Sequence, residues 1–198
     1  MKVLVACEYS GVVRDAFRAR GHDAWSCDII PADGNQRWHL QRDVTEVIDD
    51  SWDLMIAHPP CTYLAVSGMH WTTRGKRDPQ LTEDALDFVK YLMTAPIEKI
   101  CIENPISVIS TRIQKPSQII QPYMFGHNAS KQTCLWLKNL PKLVPTEEVP
   151  PSWFHNGKPR WANQTPAGQD KLGPSPDRWK IRSKTYEGIA RAMAEQWG

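Results

Sequence analysis

The sequence predicts an α/β fold built on a mainly parallel sheet, and three observations carry that expectation. Short apolar runs alternate with helix-period patterns over most of the chain before residue 144, as strands joined by crossover helices require. Several of these runs end in acids, a thiol or turn-forming residues, at the edge where open α/β sheets place their ligands. Finally, 198 residues with 41% hydrophobic content can bury one substantial core.

Taken in order, Val3-Leu4-Val5-Ala6 reads as the first strand, and Cys7-Glu8-Tyr9-Ser10-Gly11 as the turn after it. A helix is expected over 11–20, with Val12, Val13, Ala16 and Phe17 on its buried face and Gly21 stopping it. The second strand, 23–27, ends at Asp28, and residues 31–42 read as a polar loop. The run 53–57 leads into His58-Pro59-Pro60-Cys61. Residues 67–79, rich in glycine, base and aromatic, read as a long functional loop without secondary structure. A helix over 81–94 should turn Ala85, Leu86, Val89 and Leu92 inward, and Lys99-Ile100-Cys101-Ile102 should be the strand that delivers Glu103-Asn104-Pro105.

The chemistry lies at the ends of these strands. A Pro-Pro turn would hold the Cys61 thiol at the carboxyl edge of the sheet, and Glu103 arrives at the same edge. A nucleophilic sulfur facing a carboxylic acid suits addition to an electron-poor ring that is protonated elsewhere. Cytosine methylation at carbon 5 is such a reaction. The turn after the first strand would present backbone N–H groups and a helix amino end to a carboxylate, such as the methionine end of S-adenosylmethionine. Asp28 stands where an acid accepts from ribose hydroxyls. Asp43 could accept from an adenine amine, or simply cap the turn that follows it.

These residues together resemble the DNA cytosine-5 methyltransferases. His58-Pro59-Pro60-Cys61 is similar to that family's Pro-Cys motif, and Ile102-Glu103-Asn104-Pro105 to its Glu-Asn-Val motif. Cys7–Gly11 falls at its Phe-x-Gly-x-Gly loop, with one glycine where relatives often have three, and Asp43-Val44 at its third cofactor motif. Lys131 falls at the first arginine of a Tyr-Gly-x-Pro-Gln-x-Arg-x-Arg segment, Thr133 at the second, and Thr62 where the family has glutamine. The stretch 183–190 resembles the last motif, a helix returning to the first cofactor loop.

The resemblance implies a Rossmann-like S-adenosylmethionine-dependent methyltransferase fold with a minimal target-recognition insert. It implies that Cys61 attacks carbon 6 of cytosine, that Glu103 holds ring nitrogen 3 and the exocyclic amine, and that Lys131 contacts the base carbonyl or a phosphate. S-adenosylmethionine would be held by Glu8, Tyr9, Ser10, Gly11, Asp28, Ile29, Asp43, Val44, Pro59 and Thr185. Double-stranded DNA, with its cytosine flipped out of the stack, would be contacted by Thr62, Ser67, Arg74, Lys76, Arg77, Lys158, Arg160 and Trp161. The small size resembles phage or mobile-element members of the family.

From Val144 onward prolines interrupt any long element and alternate with bases and aromatics. Such a stretch suits phosphate contact and base stacking, or equally a surface wrap whose tryptophans pack on the core. The expected division is a catalytic and cofactor-binding unit over 1–143, a recognition insert over 144–182, and a returning helix over 183–198. A net charge of +2 permits a nucleic-acid partner without demanding one. The 5 cysteines show no disulfide framework and no metal-ligand spacing, and His58, His70 and His127 read as pocket or loop hydrogen-bonders. No metal is expected. Lacking any apolar run of signal-peptide or membrane-spanning length, the chain is expected in a cytoplasm, the host's if phage-encoded. Oligomeric state stays open. Other readings consistent with the sequence are amino methylation, action on RNA or a free nucleotide, and nucleic-acid binding without turnover.

Overall fold

The computed structural model describes residues 1–198. Strands β1 (Lys2–Ala6), β2 (Asp23–Asp28), β3 (His39–Gln41), β4 (Leu54–Ala57), β5 (Lys99–Pro105), β6 (Gln118–Ile120) and β7 (Thr133–Lys138) form one sheet in the order β3-β2-β1-β4-β5-β7-β6. From β3 across to β5 every pairing is parallel, whereas β7 runs antiparallel to both β5 and β6. This is the doubly wound plan with one antiparallel strand placed beside β5, and it matches the expected Rossmann-like methyltransferase fold.

Helices α1 (Val12–Ala19), α3 (Gln80–Met93) and α6 (Glu187–Trp197) cover the sheet; α2 (Met69–Thr73), α4 (Ile109–Arg112) and α5 (Arg178–Ser183) are short. The pleat sorts the apolar residues by face. Leu4, Ala6, Met55, Ala57, Ile100 and Ile102 pack with Leu86, Val89 and Leu92 of α3. Val3, Val5, Leu54, Ile56 and Cys101 pack with Val13 and Phe17 of α1 and with Ile189, Met193 and Trp197 of α6. Full burial of each such leucine or isoleucine stabilises the fold by roughly 1.5–3 kcal/mol. Both faces of β1 and β4 are therefore apolar, which is why these strands read as continuous hydrophobic runs.

The structure revises two loop expectations. Within 31–42, His39–Gln41 pairs with β2 as the edge strand, pinned by His39 Nδ1 to Ser26 Oγ at 2.9 Å and by Nε2 to the Ile30 carbonyl at 2.9 Å. A three-residue edge strand is too short for a hydrophobic period to reveal. Within 67–79, a 3-10 turn (Val66–Gly68) runs straight into α2, so this segment is folded into short helical turns. The remaining pair of strands, β8 (Trp153–His155) and β9 (Lys158–Arg160), makes a separate hairpin over the Asn156-Gly157 turn, where both residues are left-handed. No helix is long and apolar enough to cross a membrane.

Candidate active site

Ala57 of β4 pairs with Ile102 of β5, and β5 continues past β4 through Glu103-Asn104-Pro105. The Pro59-Pro60 pair, which has no N–H to offer a ladder, takes the other chain out of the sheet at the same level. Asn104 Nδ2 donates to the Pro59 carbonyl at 2.8 Å and ties the two ends together. The Cys61 carbonyl accepts from the N–H groups of Leu64 and Ala65, and Val66 and Val108 bond across to Ile106 and Leu64. The turn carrying the thiol is thus fastened on both sides.

Cys61 is the exposed cysteine; Cys27, Cys101 and Cys134 are buried and Cys7 is half-buried. Although open to the cleft, the Cys61 thiol is partly desolvated by the cleft walls, and this with the Glu103 charge raises its pKa; Lys131 and Arg182 pull the other way. At rest it is a thiol. The Glu103 carboxylate lies 2.9 Å from His58 Nδ1, with the two side chains 16% and 9% exposed. Burial alone would raise the Glu103 pKa, but the His58 hydrogen bond and charge and the Lys131 charge outweigh it and hold it below the usual value. Lys131 Nζ donates to the Arg182 carbonyl at 2.8 Å, placing its charge at the same site.

Thiol and carboxylate open into one cleft of about 1540 Å³ that also reaches the ends of β1 and β2. Glu8, Tyr9, Ser10, Asp28, Ile29, Asp43, Val44, Pro59 and Thr185 all line it. Their local roles differ. Glu8 is buried and accepts from the N–H groups of Val13 at 2.8 Å and Arg14 at 3.3 Å, so the amino end of α1 already holds a carboxylate of the chain's own. That corrects the expectation that this helix end receives a ligand carboxylate. Free for a ligand instead are the N–H groups of Tyr9 and Ser10, which line the cleft and donate to nothing within the protein. Gly11 lies outside the cleft lining; its φ of 73° and the Arg14 guanidinium packed against it are what require glycine there.

Asp28 has a pKa raised by burial, against the pull of the Ile30 N–H, His39 and the Ile29 N–H. Beside it Ile29 is 71% exposed, an apolar surface on the cleft wall fit to lie against an aromatic ring. Asp43 is exposed and caps the 3-10 turn Val44–Glu46, accepting from the Thr45 N–H at 2.9 Å and the Thr45 hydroxyl at 2.8 Å.

The roof of the cleft is the segment around α5. Tyr9 Oη donates to the Lys180 carbonyl at 2.8 Å, the Tyr9 ring sits 5.5 Å from that of Trp179, and Lys184 pairs with Asp33. Thr62 and Ser67 are exposed and line the cleft below this roof. Arg74, Lys76 and Lys158 are exposed, Lys76 lying over the Trp71 ring. Three expected nucleic-acid residues have other duties. Arg77 donates to the Thr62 carbonyl at 2.8 Å, and Arg160 donates to the carbonyls of Pro166 and Pro159. Trp161 is buried, stacked on Tyr123 with centroids 4.0 Å apart and bonded to the Val149 carbonyl, so its packing is with the protein. The core-packing reading of the tryptophans holds for this one.

His58, read from the sequence as a pocket or loop hydrogen-bonder, bonds to Glu103; Asn104 at the Pro59 carbonyl and Arg182, whose charge acts on the Cys61 thiol, are residues to which sequence reasoning gave no role. His58 stood beside the quoted turn and Asn104 inside the quoted motif, but only the tertiary register shows what each touches.

Fold and site together describe an α/β protein of Rossmann-like methyltransferase architecture, with a thiol and a carboxylate meeting over one large cleft. No protein-family profile matches the chain, and no curated protein matches it. Among solved structures, it is similar to a chain described as a candidate DNA modification methyltransferase encoded within an E. coli prophage, at 15% identity and a TM-score of 0.48. That match covers 75% of this chain and 52% of the other, so this chain spans about half the length of its neighbour. A likeness at that level says nothing about chemistry.

Proposed function

We propose that the protein is a DNA cytosine-5 methyltransferase using S-adenosylmethionine. The observation that carries the reading is the meeting of the Cys61 thiol and the Glu103 carboxylate at neighbouring strand ends, over a cleft whose far side offers an exposed apolar wall, a ribose-type acid and unpaired backbone N–H groups. The cofactor compartment fits on those terms: Ile29 suits an adenine face, Asp28 the ribose hydroxyls, and the N–H groups of Tyr9 and Ser10 the methionine carboxylate. When bound, S-adenosylmethionine supplies an electrophilic methyl group.

The chain's own residues do the rest. Cys61, once ionised, adds to carbon 6 of a cytosine flipped into the cleft. The electron pair of the 5,6 double bond shifts through the ring onto nitrogen 3, where Glu103 meets the developing charge. Carbon 5 becomes the nucleophile and takes the methyl group; loss of the carbon 5 proton to water or a general base then re-forms the 5,6 double bond as the thiolate is expelled, which ends the cycle. Lys131, whose charge acts on both groups, favours the thiolate and would be the cation to meet the base carbonyl.

Incubating the protein with S-adenosylmethionine and DNA, RNA or dCMP, followed by mass spectrometry of the products, tests the reading. DNA carrying 5-fluorocytosine should trap a covalent adduct with the wild type, and Cys61→Ala should lose both adduct and turnover while binding the cofactor nearly as well. Turnover by Cys61→Ala would sink covalent catalysis in favour of amino methylation, and product only from RNA or dCMP would move the substrate assignment.

A further inference from the structure

Directly behind Glu103, the imidazole of His58 is almost wholly enclosed. Its Nδ1 lies 2.9 Å from Glu103 Oε2, while its Nε2 is buried with no hydrogen-bond partner. A heavy-atom approach of that length between an imidazole nitrogen and a carboxyl oxygen needs a hydrogen between them. At least one proton therefore resides at the inner face of Glu103.

The groups facing His58 come from separate elements. Glu103 approaches from β5, Glu8 from the turn after β1, and Lys131 from the segment before β7. Burial by itself would push the His58 pKa down; the Glu103 hydrogen bond and charge and the Glu8 charge overcome burial and Lys131, and the net direction is up. Glu103 moves the opposite way, toward the carboxylate. The proton of the pair is thus held on the imidazole, and it is held to a higher pH than a free histidine would hold it.

This matters because the reaction proposed above, on which the inference rests, needs a proton at nitrogen 3 of the base. A lone carboxyl at neutral pH would have lost it. We infer that His58 is the proton reservoir of the site, a positioning residue that orients Glu103 and supplies, through it, the proton that nitrogen 3 takes as the thiolate adds to carbon 6. In that step the S–C6 bond forms, the 5,6 π pair shifts toward carbon 4, and the 3,4 π pair becomes a lone pair on nitrogen 3. That pair takes a proton from Glu103, and Glu103 takes one from His58 Nδ1. Imidazolium becomes imidazole, Glu103 is a carboxylate before and after, and the proton returns when the thiolate leaves.

His58→Asn keeps a donor near the Nδ1 position but carries no transferable proton. For the wild type, kcat should fall as pH rises through the raised His58 pKa. For His58→Asn that limb should move at least one pH unit lower, with a loss of ten-fold or more at pH 7.5 that acidification restores and with KM for S-adenosylmethionine unchanged. Glu103→Gln already breaks the relay between His58 and nitrogen 3, so adding His58→Asn to it should cost nothing more. An unshifted profile in His58→Asn, or full additivity in the double variant, would overturn the inference.

An arm on the unaltered protein covers misfolded variants and the absence of turnover. Imidazole nitrogen NMR of the wild type should show His58 keeping both protons above the ordinary histidine value of 6.5; loss at or below that value would overturn the reservoir. If the wild type forms no adduct on any cytosine substrate, the proposed reaction fails, while the NMR arm still decides where the proton sits.

Discussion

Asp28 and the His58–Glu103 pair show how single residues set the site's affinities. Asp28 stands at the cleft wall, and its carboxyl is partly desolvated. Removing its hydrogen bonds to a bound ribose by Asp28→Ala should weaken S-adenosylmethionine by about 1–3 kcal/mol, as read by calorimetry. No heat with the wild type would remove the cofactor assignment altogether. His58 and Glu103 also make a signed prediction for stability. Glu103, lowered from 4.5, contributes stability that is present above its unfolded value and lost as pH falls through the folded one. His58, raised from 6.5, contributes stability that is complete below its unfolded value and lost as pH rises through the folded one. The pair therefore helps most between 4.5 and 6.5, and the Tm difference between wild type and His58→Asn should peak in that window and shrink on either side. A difference that grows steadily toward alkaline pH would contradict this.

Among the elements, α6 combines buried side chains with a close backbone approach at its amino end. The Gly188 N–H donates to His127 Nε2 at 2.9 Å, and a Cβ at Gly188 would run into the Phe125 carbonyl oxygen. Gly188→Ala should therefore destabilise by roughly 1–3 kcal/mol, measurable as a lowered urea midpoint with unchanged m. The sequence makes some elements legible and hides others for identifiable reasons. β1, β4 and β5 are buried on both faces, so Val3–Ala6, Leu54–Ala57 and Ile100–Ile102 show as apolar runs. Helices α1 and α3 are long enough for Val13, Phe17, Leu86, Val89 and Leu92 to display their period. β3 and α2 are three and five residues long and display none. At the site, Cys61 and Glu103 were readable from turn chemistry at strand ends. The Glu8 cap and the partner of His58 were not, because each depends on which strands and loops become neighbours, and the same neighbours decide between the two readings open for Trp161.

At the scale of the whole molecule, Arg42, Lys131, Lys171, Arg178, Arg182 and Lys184 line the cleft, and further bases lie elsewhere on a chain of net charge +2. Arg74, Lys76 and Lys158 are exposed, while Arg77 and Arg160 spend their donors on backbone carbonyls. Replacing Lys158 or Arg74 by glutamine should weaken DNA binding alike for every sequence and lower the slope of log K against log salt by about one unit each, because phosphate contacts act through counterion release. Replacing Arg160 should act chiefly through stability of the 159–168 turn, so a Tm loss without a change in salt slope is expected.

The roof over the cleft adds a counter-current to that salt dependence. It is moored by the exposed Lys184–Asp33 pair and two side-chain bonds to the Lys180 and Arg182 carbonyls. On the proposed function, added ions should screen the exposed pair and ease the roof open, hastening exchange of spent cofactor, while loosening the grip on DNA. One variable thus drives product departure and substrate capture in opposite senses. If it acts as proposed, turnover should be fastest neither in dilute buffer nor in brine but in between, and Lys184→Gln should shift that optimum toward lower ionic strength.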